Sequence, residues 1–232
     1  MRPDWDIFCN VIDNYGDIGV AWRLARTLAS EHRGRVRLWV DDLAAFRRIW
    51  PAIDAQAAEQ ACAGVTIRAW TQAFPQAEPA RAVIEAFGCA LPEPYLQAMA
   101  AASPAPAWLN LEYLSAEPWV AAHHGLPSPH PRLPLTKYFF FPGFTPATGG
   151  LLREPDYETR RAAFDAGAYR AALGLASGQP QDLCVSLFAY ENPGLPALLE
   201  AWAGGPQPVR CLVPEGRSLP QLAAWLGEAE LA

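Results

Sequence analysis

The chain has 232 residues, a length that suits one large domain or one domain with part of a second. Hydrophobic residues make up 51% and charged residues 18%, so a sizeable core can form and extensive disorder is excluded. The net charge is −6, and no stripe of lysine and arginine occurs, which argues against a nucleic acid as a main partner.

Short apolar runs alternate with helical patterns over the first 111 residues. Strands are predicted at 5–12, 36–40, 65–70, 82–87 and 107–111, and helices at 20–32, 43–50 and 94–102. Asp41 and Asp42 are candidate caps of the helix over 43–50, and Pro51 follows that helix. The proline-rich stretch 127–146 predicts irregular chain with one strand. This alternation predicts an α/β fold with a mostly parallel sheet covered on both faces.

The last third of the chain begins with one predicted amphipathic helix over 156–173 and a polar break at 176–181. Strands at 183–189 and 208–213 and helices at 195–203 and 218–227 follow. We therefore predict a Rossmann-like N-terminal domain over 1–155, a linking helix over 156–177 and a second Rossmann-like domain beginning at 178. Two parallel strands leave open edges, so 178–232 is predicted to be the incomplete start of a longer, truncated domain.

Cellular location is predicted from the N-terminus and from the cysteines. Asp4 and Asp6 interrupt any apolar signal segment, and no stretch is apolar enough to cross a bilayer. Cys9, Cys184 and Cys211 lie in predicted strands, and no CxxC pair occurs, which predicts buried free thiols. These features predict a cytoplasmic protein with no membrane partner.

The loop Asp13–Gly19 is the first candidate site, because it joins the first predicted strand to the first helix. Ligands of open α/β sheets bind beyond the carboxyl ends of the strands. Gly16 and Gly19 would let the backbone approach a ligand, and the helix N-terminus would favour an anion. The loop has neither a GxGxxG fingerprint nor a P-loop, which argues against a Rossmann oxidoreductase and a P-loop NTPase.

Two aspartates lie four residues apart in this loop. Asp17 is a candidate general base at the top of the sheet, and Asp13 could hold the same substrate or orient Asp17. The alternative is structural: Asp17 would cap the first helix and Asp13 would close an Asx turn. The residues alone leave both interpretations open.

Two further polar or aromatic segments follow predicted strands. The segment Asn110–Ser115 could line the same cleft or form a turn with Glu112 in solvent. Phe188 and Tyr190 share one face of a strand by period-two geometry, so they could stack on a nucleobase or pack in the core. His123 and His124 are adjacent and have no ligand spacing around them, so no metal site is predicted.

Several of these segments resemble one family, the elongation factor P arginine rhamnosyltransferases. The resemblance rests on the segments IDNYGDIG with WRLA after it, NLEYLSAEPW, GLPSP, LTKYFFFPGFTPAT, GGLLRE and FAYEN. They begin at Ile12, Asn110, Gly125, Leu135, Gly149 and Phe188, so the resemblance covers most of the chain.

The resemblance implies a two-domain GT-B glycosyltransferase. It implies a dTDP-β-L-rhamnose donor, an arginine of elongation factor P as acceptor, inversion at the anomeric carbon and no metal or other cofactor. Asp17 would be the catalytic base with Asp13 as its essential neighbour. The donor would be held by Asn14, Tyr15, Gly16, Asp17, Tyr190 and, in a lesser role, Phe188.

The family's donor-side domain extends well past residue 232 and supplies another acidic catalytic residue and an arginine-containing segment. This sequence contains neither. Two alternatives therefore stand beside the transferase: a fragment that binds elongation factor P without transferring sugar, and a GT-B transferase with a small-molecule acceptor.

Overall fold

The computed structural model describes residues 2–12, 15–175 and 183–227. The chain divides into two compact units, Met1–Pro155 and Asp156–Ala232.

The first unit contains eight strands and four helices among its described residues. In chain order they are β1 (Trp5–Cys9), α1 (Gly16–Ser30), β2 (Val36–Val40), α2 (Leu43–Ile49), β3 (Glu59–Cys62), β4 (Val65–Ala69), β5 (Ala82–Ala86), α3 (Glu93–Ala101), β6 (Ala107–Leu111), α4 (Val120–His123), β7 (Pro127–Pro129) and β8 (Thr136–Phe140).

All eight strands form one sheet in the order β3-β4-β2-β1-β5-β6-β8-β7. The six inner strands are parallel, and the two edge strands, β3 and β7, pair antiparallel with their neighbours. The inner order places later strands on both sides of β1, as in a doubly wound Rossmann-like sheet. The order therefore reverses between β1 and β5, and the chain leaving β1 lies at this switch point.

Each face of the sheet carries its own hydrophobic cluster. One face contacts α1 and α2 through buried residues such as Ile7, Leu38 and Ile67. The other contacts α3 through Phe8, Trp39 and Tyr95, whose rings pack with Phe8 at the centre. Alternate residues of β1 serve opposite faces, as the two-residue period of a strand requires. The predicted parallel sheet with both faces covered is confirmed.

A buried carboxylate lies on the α3 face of β1. Asp6 is fully buried and accepts hydrogen bonds from Arg37 Nε (2.6 Å), Trp39 Nε1 (3.2 Å), the Ala80 amide (2.9 Å) and the Tyr95 hydroxyl. Burial alone would lower the pKa of Arg37, but its bonds to Asp6 outweigh that effect and raise it. The four donors compensate the desolvation of a charge inside the protein.

Helix α2 begins as the sequence predicts. Asp42 is its N-cap, and the carboxylate accepts the Ala45 amide at 2.9 Å, which satisfies one of the free N–H groups of the first turn. Asp41 instead accepts the Val11 amide at 2.8 Å and so joins the loops that follow β2 and β1.

We expect Asp42→Ala to lower the free energy of unfolding by about 1 kcal/mol, since the Ala45 amide loses its acceptor. Asp42→Asn keeps a side-chain oxygen at the cap and is the matched control. Urea denaturation of both variants measures the difference. Equal destabilisation by alanine and asparagine would contradict the capping role.

The second unit contains α5 (Tyr157–Ala162), α6 (Ala166–Ala172), β9 (Leu183–Ser186), α7 (Leu195–Ala203), β10 (Val209–Leu212) and α8 (Leu219–Leu226). Strands β9 and β10 form a two-stranded parallel sheet, as predicted. A small cluster of Leu195, Leu199 and Leu222 packs α7 against α8.

Several predictions about local structure were wrong. The single helix predicted over 156–173 is two helices, because Asp165 caps α6 through the Gly167 and Ala168 amides and so starts a new helix. The stretch 127–146 contains two strands, β7 and β8, where one was predicted. Strand β3 was not predicted, because its exposed and half-buried residues alternate without an apolar run. Cys184 is exposed, not buried, since β9 has one neighbouring strand among the described residues.

None of the described helices is both long and apolar enough to cross a membrane.

Candidate active site

Asp17 lies in the first turn of α1, directly beyond the switch point of the sheet. Its side chain is buried, with 2% of the residue exposed. One carboxylate oxygen, Oδ2, accepts the Ile12 amide at 3.2 Å, and Oδ1 accepts the Tyr113 hydroxyl at 2.8 Å. Both donors belong to exposed residues, Ile12 and Tyr113.

These contacts bear on the structural interpretation of Asp17 as a helix cap, while its role as a general base stays a prediction. The N-cap of α1 is Tyr15, which makes no side-chain capping bond, and the bonds of the Asp17 carboxylate go to the preceding loop and to a distant strand end. The interpretation of Asp17 as the helix cap is therefore wrong. The carboxylate instead holds together two segments that are 96 residues apart.

Tyr113 contacts Asp17 from the segment that follows β6, and it was not among the predicted site residues. Its ring stacks on Phe87, with centroids 4.3 Å apart and planes at 12°. Phe87 follows β5 and has φ of +57°, and its amide donates to the Leu111 carbonyl at 2.7 Å. The carboxyl ends of β1, β5 and β6 thus meet at one carboxylate and two stacked rings.

Of the other predicted site residues in the first loop, the structure describes Tyr15 and Gly16. Tyr15 is half-buried, and its hydroxyl accepts from Arg48 at 3.2 Å. Gly16 is exposed, and a Cβ added there would meet no atom of the described residues within 4 Å. Asp13 and Asn14 lie outside the described residues, and their roles stay predictions.

The segment after β6 is only partly as expected. Asn110 is buried, and its amide donates to Glu112, which is half-buried and not fully in solvent. Among the described residues, Asn110 Oδ1 has no hydrogen-bond partner. Nearby on the same face, the buried Glu85 accepts from Lys137 at 3.1 Å, so that carboxylate is paired.

The end of the first unit is attached to the helix that carries Asp17. Arg23 of α1 donates to both oxygens of Glu154, from Nε at 2.7 Å and Nη2 at 2.9 Å, and to the Leu152 carbonyl at 3.2 Å. These side-chain hydrogen bonds raise the pKa of Arg23. Two of the segments that carry the family resemblance, WRLA and GGLLRE, are joined by this bidentate pair.

Cysteine chemistry is excluded at this edge of the sheet. Cys9 ends β1 and Cys89 follows β5, and both are buried. Burial raises the pKa of both thiols, that of Cys89 to about 12. Both stay protonated at neutral pH, so neither supplies the thiolate that a nucleophilic cysteine needs.

Phe188 and Tyr190 follow β9 in the second unit. They are 77% and 54% exposed, so the interpretation of both as core residues is wrong. The guanidinium of Arg217 lies 5.8 Å from the centroid of the Tyr190 ring. An exposed aromatic face with a cation nearby can stack on a base and attract a phosphate. The nucleotide role predicted for both stays a prediction.

Metal-ligand geometry does not occur in the described part of the chain, where no three His, Cys, Asp or Glu side chains come together. The prediction that no metal takes part stays a prediction.

Comparison with known proteins places the chain in a family. Residues 5–232 match the model of "Elongation-Factor P (EF-P) rhamnosyltransferase EarP". Relatives named protein-arginine rhamnosyltransferase occur in Pseudomonas putida (55% identical over 100% of this chain), Pseudomonas aeruginosa (52% over 98%) and Shewanella oneidensis (45% over 94%).

The alignments cover 62%, 61% and 58% of those three relatives, so the chain spans about three fifths of their length. The family match includes both the loop with Asp17 and the segment with Tyr113. The resemblance seen in the sequence is therefore confirmed: the chain belongs to the family of elongation factor P rhamnosyltransferases.

Proposed function

We propose that the chain is the acceptor-side part of a rhamnosyltransferase that moves L-rhamnose from dTDP-β-L-rhamnose to an arginine of elongation factor P, with inversion and without a metal. The observation that carries this proposal is the position of Asp17, a carboxylate at the switch point of the sheet of an EF-P rhamnosyltransferase family member. Ligands of doubly wound sheets bind at this point.

Arginine chemistry determines what Asp17 would have to do. A guanidinium stays protonated in proteins, with a pKa above about 12, and a carboxylate has a reference pKa of about 3.9. Removing the proton before attack would cost about 12 kcal/mol at 1.36 kcal/mol for each pKa unit. Asp17 would therefore bind the guanidinium as a cation and accept a proton late, when the new C–N bond makes the nitrogen acidic.

The hydrogen bonds of Asp17 leave room for this role. An ionised carboxylate has about four lone-pair positions, and the described residues use two of them. The remaining positions can accept two N–H groups of a guanidinium, which is the bidentate geometry that arginine favours. Since the carboxylate is buried, a local opening beside it would have to admit the acceptor.

Donor-binding residues are proposed for each unit by itself. In the first unit, Asn14, Tyr15, Gly16 and Asp17 would lie against the donor, and Asp13 would be the essential neighbour of Asp17. Tyr190 and Phe188 would stack on the thymine, for which their exposed rings are suited. Residues 178–232 would then be the start of the donor domain of a GT-B enzyme, and 156–177 the linker. A translation factor as acceptor implies a cytoplasmic enzyme.

The test is a transfer assay that combines elongation factor P, dTDP-β-L-rhamnose and a transferase of the relatives' full length that contains this chain, and the readout is the intact mass of elongation factor P. We expect the mass of one deoxyhexose residue to be added, and peptide mapping to place it on an arginine. Elongation factor P with that arginine changed to lysine is the matched control and should stay unmodified.

The same assay separates the alternatives. Binding of elongation factor P in a pull-down without added mass would favour a binding function for this chain. A deoxyhexose on a small molecule, with elongation factor P unmodified, would favour a small-molecule acceptor. Either result would contradict the proposed transfer.

A further inference from the structure

Tyr113 combines an exposed ring with a hydrogen bond to a buried carboxylate. The residue is 54% exposed, yet its hydroxyl donates to Asp17 Oδ1 at 2.8 Å, while Asp17 is 2% exposed. An exposed tyrosine has many rotamers in solvent, so a single position below the surface needs other contacts to hold it.

The stack on Phe87 supplies those contacts. Phe87 has φ of +57°, a left-handed conformation that is unfavourable for a bulky residue and persists where the surroundings enforce it. Its amide bond to the Leu111 carbonyl at 2.7 Å ties the end of β5 to the end of β6. In this conformation the Phe87 ring stacks nearly parallel to the Tyr113 ring, with the two ring centroids 4.3 Å apart, and so supports the tyrosine ring.

The two hydrogen bonds that Asp17 accepts from described residues come from separate parts of the chain. The Ile12 amide is part of the loop backbone and fixes one oxygen, whereas the Tyr113 hydroxyl fixes the other from a strand end that is independent of that loop. Together they restrict rotation of the carboxylate about its side-chain bonds. A base that must meet a guanidinium in one orientation benefits from this restriction.

We propose that Tyr113 is a positioning residue of the transfer reaction: it orients the Asp17 carboxylate toward the acceptor guanidinium, and Phe87 supports its ring. The inference rests on the proposed function, in which Asp17 binds and deprotonates that guanidinium. Tyr113 contributes the orientation of the base and takes no proton itself.

Tyr113→Phe removes only the hydroxyl and keeps the ring on Phe87. We expect kcat for rhamnose transfer to fall about tenfold, because the base loses one of the two orienting donors that the described residues provide. We expect KM for elongation factor P and Tm to stay at wild-type values. Tyr138→Phe is the matched control, since Tyr138 is a similarly exposed tyrosine on β8, and it should keep wild-type kcat. A wild-type kcat in Tyr113→Phe would overturn the proposal.

A second readout does not need activity. In protein labelled with ¹³C at the tyrosine Cζ, the Tyr113 resonance is identified by its loss in Tyr113→Phe. Asp17→Asn should shift the Tyr113 resonance and leave that of Tyr138 in place. An unmoved Tyr113 resonance would show that the hydrogen bond is absent in solution and would overturn the proposal.

The two readouts keep the two hypotheses apart. If the wild type transfers rhamnose and Tyr113→Phe equals it, the positioning role fails and the proposed function stands. If the wild type transfers nothing, the proposed function fails and takes the catalytic part of the inference with it. A Tyr113 resonance that still responds to Asp17→Asn would then support only the orientation of the carboxylate.

Discussion

Asp17→Asn is expected to reduce rhamnose transfer to elongation factor P by about 1,000-fold, within the range that a positioned acid or base contributes. The asparagine has the same size but neither the charge that attracts a guanidinium nor the basicity to accept its proton. The measurement is the rate at which intact elongation factor P gains a deoxyhexose.

The fold should tolerate this substitution. The amide oxygen of asparagine can accept the Ile12 N–H, and the Tyr113 hydroxyl can rotate to accept from the new NH₂ group. A wild-type Tm would therefore accompany the loss of activity. Asp41→Asn is the matched control, because Asp41 is an exposed carboxylate that accepts the amide of Val11, the residue before Ile12. The Asp41→Asn variant should transfer rhamnose at the wild-type rate. Transfer at the wild-type rate by Asp17→Asn would rule out its role.

Asp6→Asn is expected to lower the free energy of unfolding by about 3–5 kcal/mol, the usual cost of removing one partner of a buried ion pair. Asp6 is fully buried and accepts four side-chain and backbone donors, of which Arg37 is charged. Asparagine would leave the Arg37 charge uncompensated and would turn an NH₂ group toward one of the donors.

Chemical denaturation followed by tryptophan fluorescence measures this cost, since Trp39 contacts Asp6 directly. Asp4→Asn is the control in the same segment, because the Asp4–Arg35 pair is partly exposed to water and should contribute far less. Equal destabilisation by the two substitutions would show that burial of the Asp6 network is not what stabilises it.

The sequence predicted those parts of the fold that depend on local patterns. Strands β2 and β6 and helix α7 have the predicted bounds, because apolar runs and helical spacing mark them clearly. Strand β3 has no apolar run, since it lies at the edge of the sheet, pairs with β4 through its backbone and has no buried side chain. Its position depends on β4, which a local pattern does not encode.

The candidate site likewise contains one residue that the sequence identifies and one that it does not. Asp17 was identifiable because its loop follows a strand and contains two aspartates and two glycines. Tyr113 was not, because its contact with Asp17 depends on the order of β1, β5 and β6 in the sheet and on the unusual backbone of Phe87. The segment that contains Tyr113 could be placed near the cleft, but the residue within it that reaches the base could not.

The edges of the large sheet limit how a protein partner can be recognised. The edge strands β3 and β7 have four and three residues, and β7 carries proline at both ends, where no N–H is available. Such strands offer little backbone for an incoming strand to pair with, which protects the monomer from edge-to-edge aggregation. They also make strand addition to this sheet unfavourable, so an acceptor protein that binds the first unit would have to be selected by its side chains and surface shape.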